Sequence, residues 1–327
     1  MRNNILIWLL ITLIATVSWG VTDVFSKMSV DENDKDFHIK LTIWTGMAMG
    51  VLFLMLLPFS ESKASIIELS AKYIEFVPPA LLYIISIMVG FVGLKYLELS
   101  VFSPIQNASG AVAMLIILAY YLYSGRISAV SEVVPPMDWV GVVLATAGIL
   151  SMAAVQHNLS REKKASDPGN NKYRYGAVAL LFPLAFCFMD AAGTVIDNYI
   201  LNGTDGQEGI GAVDYLILYN LAFFVVAVIL WIYLLIVRKK PYNPFQKSEI
   251  IKAASGIGEL LGNAFYIFAM ALDPLLTGPI ISAYCVVSVV LSGTVLKERL
   301  RPSQYLCVGL VLAGIIVMAV SEIISIG

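Results

Sequence analysis

Charge is scarce in this chain of 327 residues: Asp, Glu, Lys and Arg together make up 13% of it, where a soluble domain carries about 25%. So small a share excludes a water-soluble globule, because too few polar side chains remain to cover the apolar surface. The net charge is −2, which excludes a broad basic face for nucleic acid. Histidine occurs twice, as His38 and His157, both in stretches read as loops, which excludes a histidine-ligated metal inside an apolar run. The three cysteines, Cys187, Cys285 and Cys307, lie singly in apolar runs. Without a CxxC pair they read as small core residues, not as metal ligands or a disulfide framework. None of these residues implies a metal or a cofactor.

Apolar residues are what the chain has in abundance, at 59% with a mean hydropathy of +0.82. Ten segments read as membrane spans, at about 5–28, 40–59, 76–98, 101–123, 138–156, 176–200, 211–237, 250–272, 275–296 and 304–325. The start, Met1-Arg2-Asn3-Asn4 followed by Ile5 to Ala15, has the outline of a signal peptide. No clean small-x-small site follows, and the run continues to Met28, so it reads as the first span. The expectation is an all-α integral membrane protein with ten transmembrane helices, lodged in the inner or plasma membrane of a cell.

The most polar stretch is 156–175, with Arg161, Lys163, Lys164, Asp167, Pro168 and Gly169. It reads as a linker between residues 1–155 and 176–327, five spans on each side. The two halves repeat. Glu98 and Pro104 in Tyr96–Pro104 match Asp273 and Pro279 in Ala271–Pro279, and Ala147-Gly148-Ile149 matches Ala313-Gly314-Ile315. An odd number of spans per repeat forces the second half into the membrane in the opposite sense. Inverted repeats of this kind build secondary transporters, with the binding site at the midplane. Arg2, Lys63, Lys72 and Arg126 fall on the side of the termini and the other 17 of the 21 Lys and Arg on the opposite side. The positive-inside rule then puts both termini outside.

The pair Trp19-Gly20 followed by Lys27, and Leu296-Lys297-Glu298-Arg299-Leu300 followed by Gln304 and Gly314, resemble the two halves of an EamA-type transporter of the drug/metabolite transporter superfamily. The resemblance implies a ten-helix carrier of two inverted five-helix repeats for small metabolites or drugs, with both termini in the cytosol, against the charge count. Three positions depart from the pattern: Tyr123 stands where the second half has Glu298, Cys307 replaces a glycine, and Met189-Asp190 replaces the Trp-Gly pair.

Ionisable groups inside apolar runs are costly, about 2.5–3.5 kcal/mol at a helix centre on insertion scales, and mark function by default. Asp190, Thr194 and Asp197 share one face of the sixth span, and Glu259, Asn263 and Tyr266 one face of the eighth. Asp190 and Glu259 are the expected proton-coupling pair. Trp19, Asn107, Glu259, Asn263, Tyr266, Ser282 and Tyr284 are the expected substrate-binding residues. Tyr83 and Trp44 are further cavity candidates. Asp23 and Lys27 read as an i, i+4 pair, and Lys27 also aligns with Asp197 across the repeats. Glu98, Asp273 and Glu298 read as solvated span ends.

The expected partners are a small-molecule substrate, protons and the lipid bilayer. The expected function is a proton-coupled secondary transporter working by alternating access. A non-transporting receptor or scaffold is the alternative, with an intramembrane enzyme behind it. A protease would set two acids on different helices with a Gly-x-Gly-Asp motif, and the sequence has none. Spans one, three, four, six, eight and nine are expected to enclose one cavity, with five and ten at the ends of the molecule.

Overall fold

The computed structural model describes residues 2–31, 33–60, 77–166, 176–203, 209–298 and 301–325, and among them it contains helices and no strand. The helices are α1 (Arg2–Met28), α2 (Phe37–Leu56), α3 (Val77–Leu94), α4 (Leu99–Gln106), α5 (Ser109–Tyr123), α6 (Pro136–Ser166), α7 (Leu181–Asn202), α8 (Ala212–Ile236), α9 (Ile250–Leu272), α10 (Pro274–Ile281), α11 (Tyr284–Thr294) and α12 (Pro302–Ser325). Among the described residues seven stretches are long and apolar enough to cross a bilayer. They are Leu6–Met28, Phe37–Phe59, Phe102–Tyr123, Val178–Asn202, Ala212–Ile236, Lys247–Leu272 and Pro274–Thr294. Two more expected spans appear as shorter apolar helices, Ala80–Leu94 and Tyr305–Met318. The outward faces carry Leu10, Leu54, Val143, Ile229 and Leu306, all exposed, as lipid-facing surface requires. The protein is a multi-pass membrane protein.

Several boundaries differ from the sequence reading, each for a local reason. His38 belongs to the first turn of α2, not to a loop. Helix α6 continues to Ser166, so the first part of the expected linker is helical; residues 167–175 lie outside the described set. The fourth and ninth spans are each broken in two. Pro104 and Pro279 cannot donate to the preceding turn, and after each the chain tightens to an i→i+3 bond, Ala108 N to Ile105 O at 3.3 Å and Ala283 N to Ile280 O at 3.1 Å. At each break a side chain adds a second bond to a carbonyl of the preceding turn: Asn107 Nδ2 donates to Ser103 O at 2.8 Å and Ser282 Oγ to Gly278 O at 3.0 Å.

Pairing between helices is orderly. Helix α1 packs along α9, α2 along α8, α3 along α7 and α6 along α12, while the broken pair α4–α5 crosses α10–α11. The crossing is tight: a Cβ at Gly110 would stand 2.3 Å from the Gly278 carbonyl oxygen. Gly141 and Gly314 let α6 and α12 touch backbone to backbone, since a Cβ on either would meet the other's carbonyl within 2.7 Å. Small residues drive helix association in lipid in this way. Helices α6 and α12 therefore share one flank, rather than sitting at two ends of the molecule.

Candidate functional site

A cavity of about 840 Å³, its open mouth included, lies between these helices. Its walls come from α1, α3, the α4–α5 break, α7, α9 and the α10–α11 break, as expected, and also from Tyr219 of α8. Helices α2, α6 and α12 contribute no side chain among the described lining residues. All eight expected site residues line this one space: Trp19, Asn107, Asp190, Glu259, Asn263, Tyr266, Ser282 and Tyr284. Tyr83 joins them, whereas Trp44 does not; its ring stands edge-on to Phe245.

The helical repeat explains the convergence. Glu259, Asn263 and Tyr266 recur on one face of α9, and that face is buried against α1. Glu259 Oε1 accepts from Tyr83 Oη at 2.8 Å and from Trp19 Nε1 at 3.2 Å. The Trp19 ring lies 5.4 Å from that of Tyr266 and 5.8 Å from that of Tyr284. Asp190, near the middle of α7, accepts from Ser109 Oγ at 2.6 Å, the first residue of α5. Asp197 accepts from the hydroxyls of Tyr215 and Tyr266, and Tyr266 Oη also lies 3.4 Å from Thr194 Oγ1. Asn263 is 2% exposed, and neither amide atom has a partner in hydrogen-bonding geometry. The Tyr219 phenol faces it from α8.

Two sequence readings are corrected here. The Asp23 carboxylate is held by Ser103 at 2.7 Å, Ser288 at 2.7 Å and Gln106 at 3.3 Å, rather than standing as half of an i, i+4 pair. Lys27 Nζ donates to the carbonyls of Leu94 and Leu97 at the end of α3. The span-end acids are built into the fold rather than simply solvated. Glu98 is buried, and Asp273 caps α10 through Leu275 N and Leu276 N at 3.0 Å. Glu298 accepts from Leu99 N, Ser100 N and Ser100 Oγ at the start of α4. Arg299 and Leu300 of the same motif lie outside the described residues.

Tyr219 and the two serine partners of Asp23 are what the sequence reading missed. Tyr215, Tyr219 and Phe223 recur at helical spacing in α8, so the stripe was visible. In an all-apolar segment it reads as ordinary core. Ser103 and Ser288 carried no signal, because single serines are common in membrane helices.

The EamA-like transporter family model matches residues 6–154. The matched stretch, the first half of the chain, is similar to an EamA-like transporter domain. It carries α1 to α5 and most of α6, and so supplies Trp19, Asp23, Tyr83, Asn107 and Ser109 to the cavity. No curated protein matches the sequence significantly. A solved crystal structure superposes on 95% of this chain and 96% of its own, with a TM-score of 0.58 and 16% identity. A likeness at that identity speaks for the fold alone. It extends over the stretch matched by the family model and the half that follows it.

Proposed function

We propose that the protein is a secondary active transporter of small molecules that works by alternating access and couples to protons through Asp190 and Glu259. The observation that carries this reading is the cavity itself: two half-buried or buried acids near the middle of spanning helices, one from α7 and one from α9, face a common space walled by both halves of the chain.

The halves, 1–155 and 176–327, act as two inverted repeats of five spans, with α4–α5 as the fourth span and α10–α11 as the ninth. The pattern of packing supports this. Exchanging the first span with the sixth, the second with the seventh and so on turns the pair α1–α9 into α7–α3 and leaves α2–α8 and α6–α12 as they are. The broken helices exchange as well, with Pro104 matching Pro279 and Asn107 matching Ser282. Inverted repeats with broken helices at the midplane suit rocking of one bundle against the other around a fixed site.

A buried carboxylate pair in low dielectric binds and releases protons as a coupled unit. Asp190 faces Ser109 and the thiol of Cys187, with Asp197 and Glu259 the nearby acids; Glu259 faces Tyr83 and Trp19, with Asp23 the acid on the α1 side. A proton or a monovalent cation offsets one of the two charges and relieves the repulsion within the pair, and mutual exclusion of the two gives exchange. The test uses proteoliposomes loaded with a pH-sensitive dye and pulsed with a panel of amino acids, sugars, nucleosides and amines. Wild type is expected to give a substrate-dependent proton flux, Asp190→Asn none and Glu259→Gln a reduced one. Equal responses from all three would remove both acids from the coupling role.

A further inference from the structure

The four carboxylates in the cavity wall are not equally satisfied. Asp23 takes three side-chain donors, and Asp197 takes one phenol on each oxygen. Asp190 accepts only through Oδ2, and Glu259 only through Oε1. Asp190 Oδ1 and Glu259 Oε2 therefore receive no donor from the described residues. One helical turn beyond Glu259, the Asn263 amide is buried, faces the same cavity and is unpartnered at both Nδ2 and Oδ1. A buried amide left in this state is costly, roughly 1–3 kcal/mol, and marks a place where a ligand supplies the missing bonds.

The charge and shape of the walls narrow the ligand. Among the described lining residues there are four acids and no Lys, Arg or His. Lys27, which reaches the cavity-lining Leu94 at the end of α3, is engaged by the Leu94 and Leu97 carbonyls. An anion entering this space meets only like charge, and a neutral molecule leaves the acids to be compensated by protons alone. The rings of Trp19, Tyr83, Tyr219, Tyr266 and Tyr284 offer apolar faces and a favourable quadrupole for a cation.

We infer that the cavity takes a primary organic ammonium ion with an aromatic or apolar body and a second hydrogen-bonding group. Its N–H donors fill the open oxygens of Asp190 and Glu259, its body lies against the aromatic wall, and its second group pairs with Asn263. A quaternary ammonium carries the charge but has no N–H to give those oxygens. The inference deepens the transporter reading and rests on it for the ligand being cargo rather than a bound effector.

Isosteric probes test it on the purified full-length protein. Tyramine has the ring, a distal hydroxyl and the primary ammonium. Tyrosol replaces the ammonium by a hydroxyl, 3-(4-hydroxyphenyl)propionate replaces it by a carboxylate, N,N,N-trimethyltyramine removes its N–H groups, and phenethylamine lacks the distal hydroxyl. By calorimetry at neutral pH, tyramine is expected to bind at least tenfold more tightly than tyrosol, the propionate and the trimethyl compound. Asp190→Asn and Glu259→Gln are each expected to lose at least tenfold in tyramine affinity. Asn263→Leu is expected to weaken tyramine and leave phenethylamine unchanged.

Equal affinity for tyrosol or the propionate, or no binding of either amine by wild type, overturns the inference whatever the variants do. Uptake of labelled tyramine into proteoliposomes separates this idea from the transporter reading. Binding without uptake supports the ligand class and counts against transport. Proton-linked flux of some neutral or anionic substrate, with no amine binding, supports transport and defeats the ligand class.

Discussion

Trp19 Nε1 reaches Glu259 Oε1 at 3.2 Å across 240 positions of sequence, tying α1 to α9. The indole contributes two things here, an N–H to the acid and a ring face against Tyr266 and Tyr284. Trp19→Phe removes the first and keeps most of the second, whereas Trp19→Ala removes both. A hydrogen bond to a charged group is worth about 1.5–3 kcal/mol, so Trp19→Phe should weaken tyramine binding about tenfold and Trp19→Ala by more. Calorimetry on the two variants, with membrane expression as a control, checks the order.

Gly262 guards the same contact. A Cβ there would stand 2.5 Å from Trp19 Cδ1 and Nε1. Gly262→Ala should therefore displace the indole and reproduce the binding defect of Trp19→Phe with Glu259 and Trp19 both intact. Gly193 on α7 meets nothing within 4 Å, and Gly193→Ala should be neutral or stabilising by up to about 1 kcal/mol, the helix-propensity difference. Thermal unfolding in detergent, alongside ligand binding, compares the two; equal binding by Gly262→Ala and wild type would mean that the indole position does not matter.

Glu298 clamps the start of α4 from the far end of the sequence. Lys297 adopts φ 58°, a left-handed residue that closes α11 through Glu298 N to Ser292 O at 3.1 Å and turns the carboxylate toward Leu99 and Ser100. Such a C-terminal turn favours glycine. Glu298→Ala should lower stability by about 1–2 kcal/mol through loss of the cap and its charge at a helix N-terminus. Lys297→Gly should raise it by up to about 1 kcal/mol. Melting temperatures of the two variants should move in opposite directions.

Asp36 sets an acid limit at one end of the fold, just before α2. Burial pushes its carboxylate up, but hydrogen bonds and charge from Lys240 and Arg238 outweigh burial and hold it below the usual value of 3.8. The contacts are 2.6 Å to Lys240 Nζ and 2.9 Å to Arg238 Nη2. A carboxylate with a lowered folded-state pKa adds stability that is present above its unfolded pKa and is lost as pH falls through the folded one. Wild type should therefore lose stability below about pH 4. Asp36→Asn should be less stable at pH 7 and show a smaller loss on acidification. Parallel acid limbs for the two proteins would show that the pair contributes nothing.

How much of this was legible beforehand depended on the kind of interaction. Apolar runs of bilayer length are written in the sequence, because each span must satisfy its own backbone inside lipid. The face shared by Glu259, Asn263 and Tyr266 is likewise a matter of helical spacing, and so is the one shared by Asp190 and Asp197. Proline positions were legible too, and Pro104 and Pro279 do stand at the two breaks, although the breaks themselves were read as continuous spans.

Tertiary structure decided which polar groups meet. Asp23 and Lys27 look like a local pair, yet Asp23 is held by serines 80 and 265 positions away and Lys27 by the end of α3. Glu98 and Glu298 look like free solvated ends, yet Glu98 is buried and Glu298 is held by Ser100. Of the four cavity acids, only the fold tells the two that are saturated from the two with an open oxygen. The physical reason is that spacing along one helix sets which way a side chain points. The donors that reach it come from other helices, and lipid makes no distinction among the crossings that bring them together except through packing.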